Sequence, residues 1–307
     1  MTRLGCYLNL LTLAALPEAS AAPRTRDPRP LLEALAAAGY DGVQGFEFAI
    51  AGVPAADPGL CAALGLGCVA QGLRVERVGT IGADAARWAD QGFESATVHV
   101  GFGHESDDEV RALLDDVVTA SDRHGIPLYV ETHRGTVTQD TWRTVRMVGE
   151  HPELRFNGDF SHWYTGLEMT YGDFDARLAF LAPVFERTRF LHGRIGESGA
   201  IQIDVGEGDA AVHPSVAHFE QFWTAAFRGF LAHAEPSERI VFAPELLPAA
   251  IGYARTVPDA AGRRVEEGDR WQQALVLTDI ARRCYAAAED LHAAVAAGAV
   301  DTVGVPA

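Results

Sequence analysis

Short apolar runs alternate eight times with amphipathic or capped stretches, and this alternation most limits the folds open to the chain. The runs predict strands at Leu4–Leu10, Gly42–Glu47, Gly67–Gly72, Ser95–Val100, Pro127–Glu131, Arg155–Asp159, Arg189–His192 and Arg239–Glu245. The stretches that follow predict helices at Leu31–Ala38, Asp57–Leu64, Ala83–Gln91, Asp107–His124, Thr138–Val148, Asp173–Arg187, Ser215–Ala234 and Arg270–Ala296. The clearest, Asp107–His124, sets Val110, Leu113, Leu114, Val117 and Val118 on one face, and Gly125 stops it. Strands apolar along their whole length need cover on both faces, which a parallel sheet flanked by helices supplies. Eight such units predict a single-domain (β/α)8 TIM barrel over about 4–296, with a loose tail to Ala307. No Gly-x-Gly-x-x-Gly follows the first strand, which argues against an open dinucleotide-binding sheet.

Composition narrows the partners. A chain of 307 residues with 48% hydrophobic content can bury one large core. Its net charge of −17 excludes a general attraction to nucleic acid or to anionic membrane surfaces. No apolar run approaches the roughly 18 residues of a membrane span. Cys6, Cys61, Cys68 and Cys284 lack metal-ligand spacing and read as reduced thiols in a cytoplasmic protein. Leu8–Ala22 is apolar and ends in small residues, as a secretory leader does. Only Arg3 supplies positive charge there, and Pro17-Glu18 interrupts the run, so a first strand is the preferred reading. The helix Ser215–Ala234 carries Phe219, Phe222, Trp223, Phe227 and Phe230, read as core or as a subunit interface.

Four of the apolar runs each deliver one polar residue near their C-terminal ends: Glu131, Asp159, His192 and Glu245. The spacings are 28, 33 and 53 residues, or one strand-helix unit, a second, and a third with an insertion. Buried charges are rare unless paired or bound to metal, so four of them closing four runs point to one shared site. Three carboxylates and one imidazole make a hard, oxygen-rich donor set that suits Mn²⁺, Mg²⁺ or Co²⁺, with Zn²⁺ also compatible. In a barrel that site falls at the C-terminal ends of the strands. Each residue alone could equally be a strand-end polar group paired with an arginine.

The segments Val130-Glu131-Thr132-His133, Asp159-Phe160-Ser161-His162, Leu191-His192-Gly193-Arg194 and Pro244-Glu245 resemble the xylose-isomerase-like barrels. That superfamily includes sugar-phosphate isomerases and epimerases, ketose 3-epimerases, hydroxypyruvate isomerase, inosose dehydratase and the apurinic endonucleases. The resemblance covers nearly the whole chain. It implies that Glu131, Asp159, His192 and Glu245 bind one divalent metal, Mn²⁺ foremost, and that His162 of the Asp-x-x-His pair lies near substrate. It also implies a homodimer or homotetramer, with the aromatic helix as the place to look for contact. The endonucleases carry an Asp-x-His pair after the seventh strand. Here that loop reads Gln202-Ile203-Asp204-Val205-Gly206-Glu207-Gly208-Asp209, which speaks against DNA cleavage.

The implied chemistry is isomerisation or epimerisation of a sugar or related polyhydroxy carbonyl compound. A metal held by a carbonyl and a neighbouring hydroxyl acidifies the C–H between them and stabilises the enediolate. By the resemblance, Glu131 and Glu245 take and return the proton. The alternative is a lyase or dehydratase of the same fold on a keto-sugar or keto-glycoside, with His162, His133 or His99 as base. A non-catalytic binding barrel is a third reading. His133, Arg194, His99 and Trp163 are candidate substrate contacts, and Glu47, Gln71, Arg134 and Tyr164 lie at the same strand ends.

Overall fold

The computed structural model describes residues 4–25, 27–235 and 237–298. Eight strands close a parallel barrel in sequence order: β1 (Leu4–Asn9), β2 (Gly42–Gly45), β3 (Gly67–Gln71), β4 (Ser95–Val98), β5 (Leu128–Glu131), β6 (Phe156–Gly158), β7 (Thr188–Gly193) and β8 (Ile240–Pro244). Closure is direct, with Leu4 opposite Ile240 and Cys6 opposite Phe242. The expected TIM barrel is therefore the observed fold. The helices are α1 (Pro28–Ala37), α2 (Pro58–Ala63), α3 (Ile81–Gln91), α4 (Asp107–His124), α5 (Thr141–Glu150), α6 (Ser161–Gly166), α7 (Phe174–Phe185), α8 (Ser215–His233) and α9 (Arg270–Ala296). Among the described residues no helix is long and apolar enough to cross a membrane. The expected loose end at 299–307 lies outside the described residues.

Local signals explain most boundaries. Asp27, Asp57 and Asp173 cap α1, α2 and α7 by accepting the backbone N–H of Arg29, Leu60 and Ala176. Ser106 and Glu109 form a reciprocal capping box on α4. Several differences from the sequence reading have physical causes. The strands β2, β3 and β4 stop before Glu47, Gly72 and Val100, where regular pairing gives way to single contacts such as the parallel bridge of Val75 to Val100. The helix expected from Thr138 starts at Thr141 and is capped by Asp140, since the Thr136 and Thr138 hydroxyls are drawn into the preceding loop. Two elements were not read from sequence: the short α6, directly after Asp159, and an antiparallel hairpin of β9 (Thr256–Pro258) and β10 (Arg264–Glu266) between β8 and α9.

The barrel interior follows the period of two that a strand imposes. Tyr7 and Asn9 point inward from β1, Val69 and Gln71 from β3, Tyr129 and Glu131 from β5, and Phe190 and His192 from β7. The lower member of each pair is an apolar or aromatic plug and the upper one is polar. The Tyr7 ring fills the floor and donates its hydroxyl to Glu94 at 2.6 Å. Gly67 makes room for it, because a Cβ there would stand 1.8 Å from the Tyr7 oxygen. The polar floor of the site thus rests on a close-packed plug.

The aromatics of helix α8 belong to the core, one of the two places the sequence left open for them. Phe219, Phe222, Trp223, Phe227 and Phe230 are at most 1% exposed. Trp223 packs edge-on to Phe242 at 4.9 Å, and Phe227 to Tyr285 at 5.3 Å. Gly229 lets α8 approach the end of α7, since a Cβ there would meet the Phe185 carbonyl carbon at 2.6 Å. Gly229→Ala is therefore expected to cost about 2–3 kcal/mol through backbone overpacking, against the ~1 kcal/mol that alanine gains in an open helix. Urea unfolding of the variant reads this directly, and a stability equal to or above the parent contradicts it.

Candidate metal centre

Glu131 ends β5, Asp159 and Glu245 follow β6 and β8 directly, and His192 sits one residue before the end of β7. All four are buried, and each offers a ligand atom within 4.8 Å of the others. His192 Nδ1 is 3.5 Å from Glu131 Oε2, 3.4 Å from Glu245 Oε2 and 4.0 Å from Asp159 Oδ2. Its other nitrogen, Nε2, donates to Gln44 Oε1 at 2.9 Å, and Gln44 in turn donates to Thr97 at 2.8 Å. That outer bond turns Nδ1 toward the carboxylates, as a ligating histidine requires.

Amides and one arginine hold the carboxylates. Glu245 Oε1 accepts from Asn9 at 3.1 Å and Gln71 at 3.0 Å. Its Oε2 is bonded to Arg194 Nη2, whose guanidinium also lies 3.3 Å from Asp159 Oδ2. Asn157 donates to Glu131 Oε2 at 3.1 Å. Asp159 Oδ1 takes the Ser161 hydroxyl at 2.5 Å, while Oδ2 is buried without any hydrogen bond. A buried carboxylate oxygen met only by ion-pair contacts at 3.3–3.5 Å, with no hydrogen bond, is under-satisfied, and a further cation would complete it. Three carboxylates set against Arg194 leave two negative charges, which one divalent ion balances. The residues present therefore fit a divalent metal.

The protonation equilibria carry the same imprint. Burial resists charge on His192, but the Glu245 and Glu131 carboxylates carry its pKa up to about 9, so a proton does there what a cation would do. Burial pushes Glu131 up, yet the His99 and His192 charges outweigh it and hold the carboxyl well below its usual range. Asp159 is also held low, the Arg194 and His162 charges prevailing over burial. Glu245 is raised by burial, which His192 and Arg194 offset only in part. Burial and the neighbouring His162 depress His133 to about 3, and burial lowers His162 despite Asp159.

Beside this centre three histidines form a row. The His133 ring lies 4.2 Å from that of His99 and 3.8 Å from that of His162. His133 is held by a wound loop in which its N–H donates to Thr138 Oγ1 at 3.0 Å and its carbonyl accepts the Thr136 hydroxyl at 2.6 Å. His133, His162 and His99, all expected at the site, are thus at it. Arg194 is there too, but it is turned onto the ligand carboxylates rather than outward. Trp163 is not at the cavity: it is 1% exposed, stacks on Phe160 and donates Nε1 to Thr138 O at 2.7 Å. It stands behind the His133 loop because α6 turns it outward from the barrel axis. Tyr164 likewise packs away, against Phe219 and His218. Glu47 is at the rim in an ion pair with Arg87, and Arg134 lies over the Tyr253 ring at 5.6 Å.

Trp163→Phe keeps the packing but leaves the buried Thr138 carbonyl with only the long contact from the Thr144 hydroxyl at 3.4 Å. It is expected to lower stability by about 1–2 kcal/mol with metal content unchanged. A stability within 0.3 kcal/mol of the parent, roughly the noise of such measurements, contradicts this role for the indole N–H.

The sequence reading missed Asn9, Gln44 and Asn157, which lie inward on their strands, and Tyr253, which comes from the segment between β8 and α9. Tyr253 lies 3.3 Å from His133 Nε2 through its hydroxyl, and the Arg194 guanidinium sits over its ring at 4.6 Å. Asn157 was legible from the period of two, standing two residues before Asp159, whereas Asn9 and Gln44 lie on β1 and β2, which deliver no ligand to set the inward face. Tyr253 had no such signal.

No protein-family model matches the chain, and no curated protein matches it. Solved structures do. A xylose isomerase-like TIM barrel protein from Mycobacterium smegmatis in complex with magnesium aligns at 13% identity over 94% of this chain and 99% of its own, with a TM-score of 0.55. A sugar phosphate isomerase/epimerase from Parabacteroides distasonis aligns at 15% identity over 90% of this chain and 96% of its own, with a TM-score of 0.50. At these identities the likeness is one of fold.

Proposed function

We propose that this chain, which has the fold of the xylose-isomerase-like TIM barrels, is a divalent-metal-dependent isomerase or epimerase of a sugar or related polyhydroxy carbonyl compound. The observation that carries the reading is the convergence of Glu131, Asp159, His192 and Glu245 within 4.8 Å, all buried, with Asp159 Oδ2 accepting no hydrogen bond and met only by ion-pair contacts. Mn²⁺ suits this donor set best, and Mg²⁺, present in the Mycobacterium smegmatis barrel, is the next choice. When bound, the ion polarises a carbonyl and its neighbouring hydroxyl and acidifies the C–H between them. The chain supplies the rest. Glu131 and Glu245 come from β5 and β8, three strands apart, and can take a proton on one side of a substrate and return one on the other. Arg194 keeps both Glu245 and Asp159 in place. Asn9, Gln71 and Asn157 fix which carboxylate oxygen faces the cavity. Four free, buried cysteines support a reducing, cytoplasmic setting. A homodimer or homotetramer, if formed, uses surfaces other than the α8 aromatics.

A lyase or dehydratase is the second reading, and the row of His99, His133 and His162 favours it by offering a base beside the carboxylates. Metal analysis of purified protein, followed by incubation with a ketose panel in D₂O, tests both. One bound divalent ion with α-carbon exchange and no elimination supports the isomerase. An enone chromophore supports the lyase. No ion after purification, and none taken up on titration, removes both.

A further inference from the structure

We infer that the substrate carries a single negative charge, a carboxylate, and that Arg134 holds it at the mouth of the site. The inference rests on the metal-dependent reading above and names the substrate class within it: a polyhydroxy keto acid, in place of a neutral sugar or a sugar phosphate. A balance of charge carries it. Glu131, Asp159 and Glu245 are three negative charges, and Arg194 with one divalent ion supplies three positive ones, so the loaded centre is neutral. Metal binding releases the protons that its ligands hold. The ion therefore replaces the proton that Glu245 and Glu131 favour on His192 and that Glu131 favours on His99, and both imidazoles are neutral beside it.

Arg134 adds a charge that no group of the fold answers. The chain has 42 acidic residues against 25 basic ones, so carboxylates are plentiful. Among the described residues none pairs with Arg134, and no hydrogen bond uses its guanidinium. The side chain is exposed, and its guanidinium lies over the Tyr253 ring at 5.6 Å. The Tyr253 hydroxyl is 3.3 Å from His133 Nε2, and the same ring carries Arg194 at 4.6 Å. Tyr253 thus ties Arg134 to the ligand side of the cavity while leaving its N–H donors free. The other arginine beside the site, Arg74, is already occupied. Its Nη1 donates to the Gly101 carbonyl and to the Gly135 carbonyl at 2.7 Å. The Glu105 carboxylate lies on the same loop, accepting the Phe102 and Gly103 N–H groups. The loaded site on the His133 side therefore holds one unanswered positive charge. The planar fork of an arginine meets a carboxylate through two parallel hydrogen bonds. A neutral sugar would leave that charge unanswered, and a phosphate dianion would overshoot it.

D-fructose, D-fructuronate and D-fructose 6-phosphate share one ketose skeleton and differ in the charge at C6. Their binding to Mn²⁺-loaded protein is measured by calorimetry, with metal uptake counted first. The expected Kd of fructuronate is about five- to tenfold below that of fructose, and below that of the phosphate, as a charge-assisted pair at an exposed arginine allows. Arg134→Gln is expected to raise the fructuronate Kd to that of fructose, and Arg134→Lys to restore part of the preference. Both changes alter an exposed side chain and leave the backbone carbonyl that contacts His133 in place. Equal Kd values for fructose and fructuronate in the parent, tightest binding of the phosphate, or a preference kept by Arg134→Gln overturns the assignment and leaves the metal centre standing. So does metal-loaded protein that binds none of the three. Protein that takes up no ion removes the proposed function, and this inference with it.

Discussion

Glu245→Gln is expected to lower kcat/KM by about 10³-fold, within the span that removal of a general acid or base produces. The change is nearly isosteric, so its force lies in charge and hydrogen-bond polarity. Both oxygens of Glu245 accept in the parent, Oε1 from Asn9 and Gln71 and Oε2 from Arg194. A glutamine must turn its NH₂ toward donors on one of those sides. One negative charge also leaves the centre, so metal affinity falls together with turnover. Parallel measurement of turnover and bound metal separates the two effects. A loss smaller than about tenfold, with metal retained, would show that Glu245 only lines the site.

The largest effect on stability is expected from Arg194→Met. Arg194 is 1% exposed, and its Nε donates to the Glu245 carbonyl at 3.0 Å while Nη2 serves both Glu245 and Asp159. Methionine keeps much of the length and bulk but strands two buried carboxylates. Breaking a buried ion pair from one side costs about 3–5 kcal/mol. For a chain of this size that corresponds to a drop in Tm of roughly 5–8 °C. The loss should be greatest in chelator-treated protein and smaller with Mn²⁺ present, because the ion takes over part of the neutralisation. Equal losses in both states would mean that Arg194 acts through packing on Tyr253 alone.

The legibility of this protein in its sequence varied from element to element. The bounds of α4 and α9 could be read to the residue because their caps and stops are local chemistry. The start of α5 could not, because Thr136 and Thr138 spend their hydroxyls on a loop whose partner, Glu131 O, lies in the strand before it. The aromatics of helix α8 read as core or as interface, because a one-dimensional pattern cannot say what covers a face. Aromatics spread around much of a helix already point to burial within the chain. Trp163 was read as a wall of the cavity because it follows Asp159 closely, yet the short α6 rotates it behind the His133 loop.

By itself the sequence determined the barrel and its four inward charges. Both follow from short-range rules: the period of two in a strand, the capping of helices, and the cost of burying Glu131, Asp159, His192 and Glu245 alone. Only the tertiary structure decided what these four charges face. Arg194 as counter-ion, Gln44 behind His192, Tyr253 above His133 and the division of the Glu131 oxygens between two groups all join strands and loops far apart in the chain. Such pairings are set by the closure of β1 on β8 and by the packing of the loops above it. No local pattern records them, because each partner's residue type is compatible with many places in the fold.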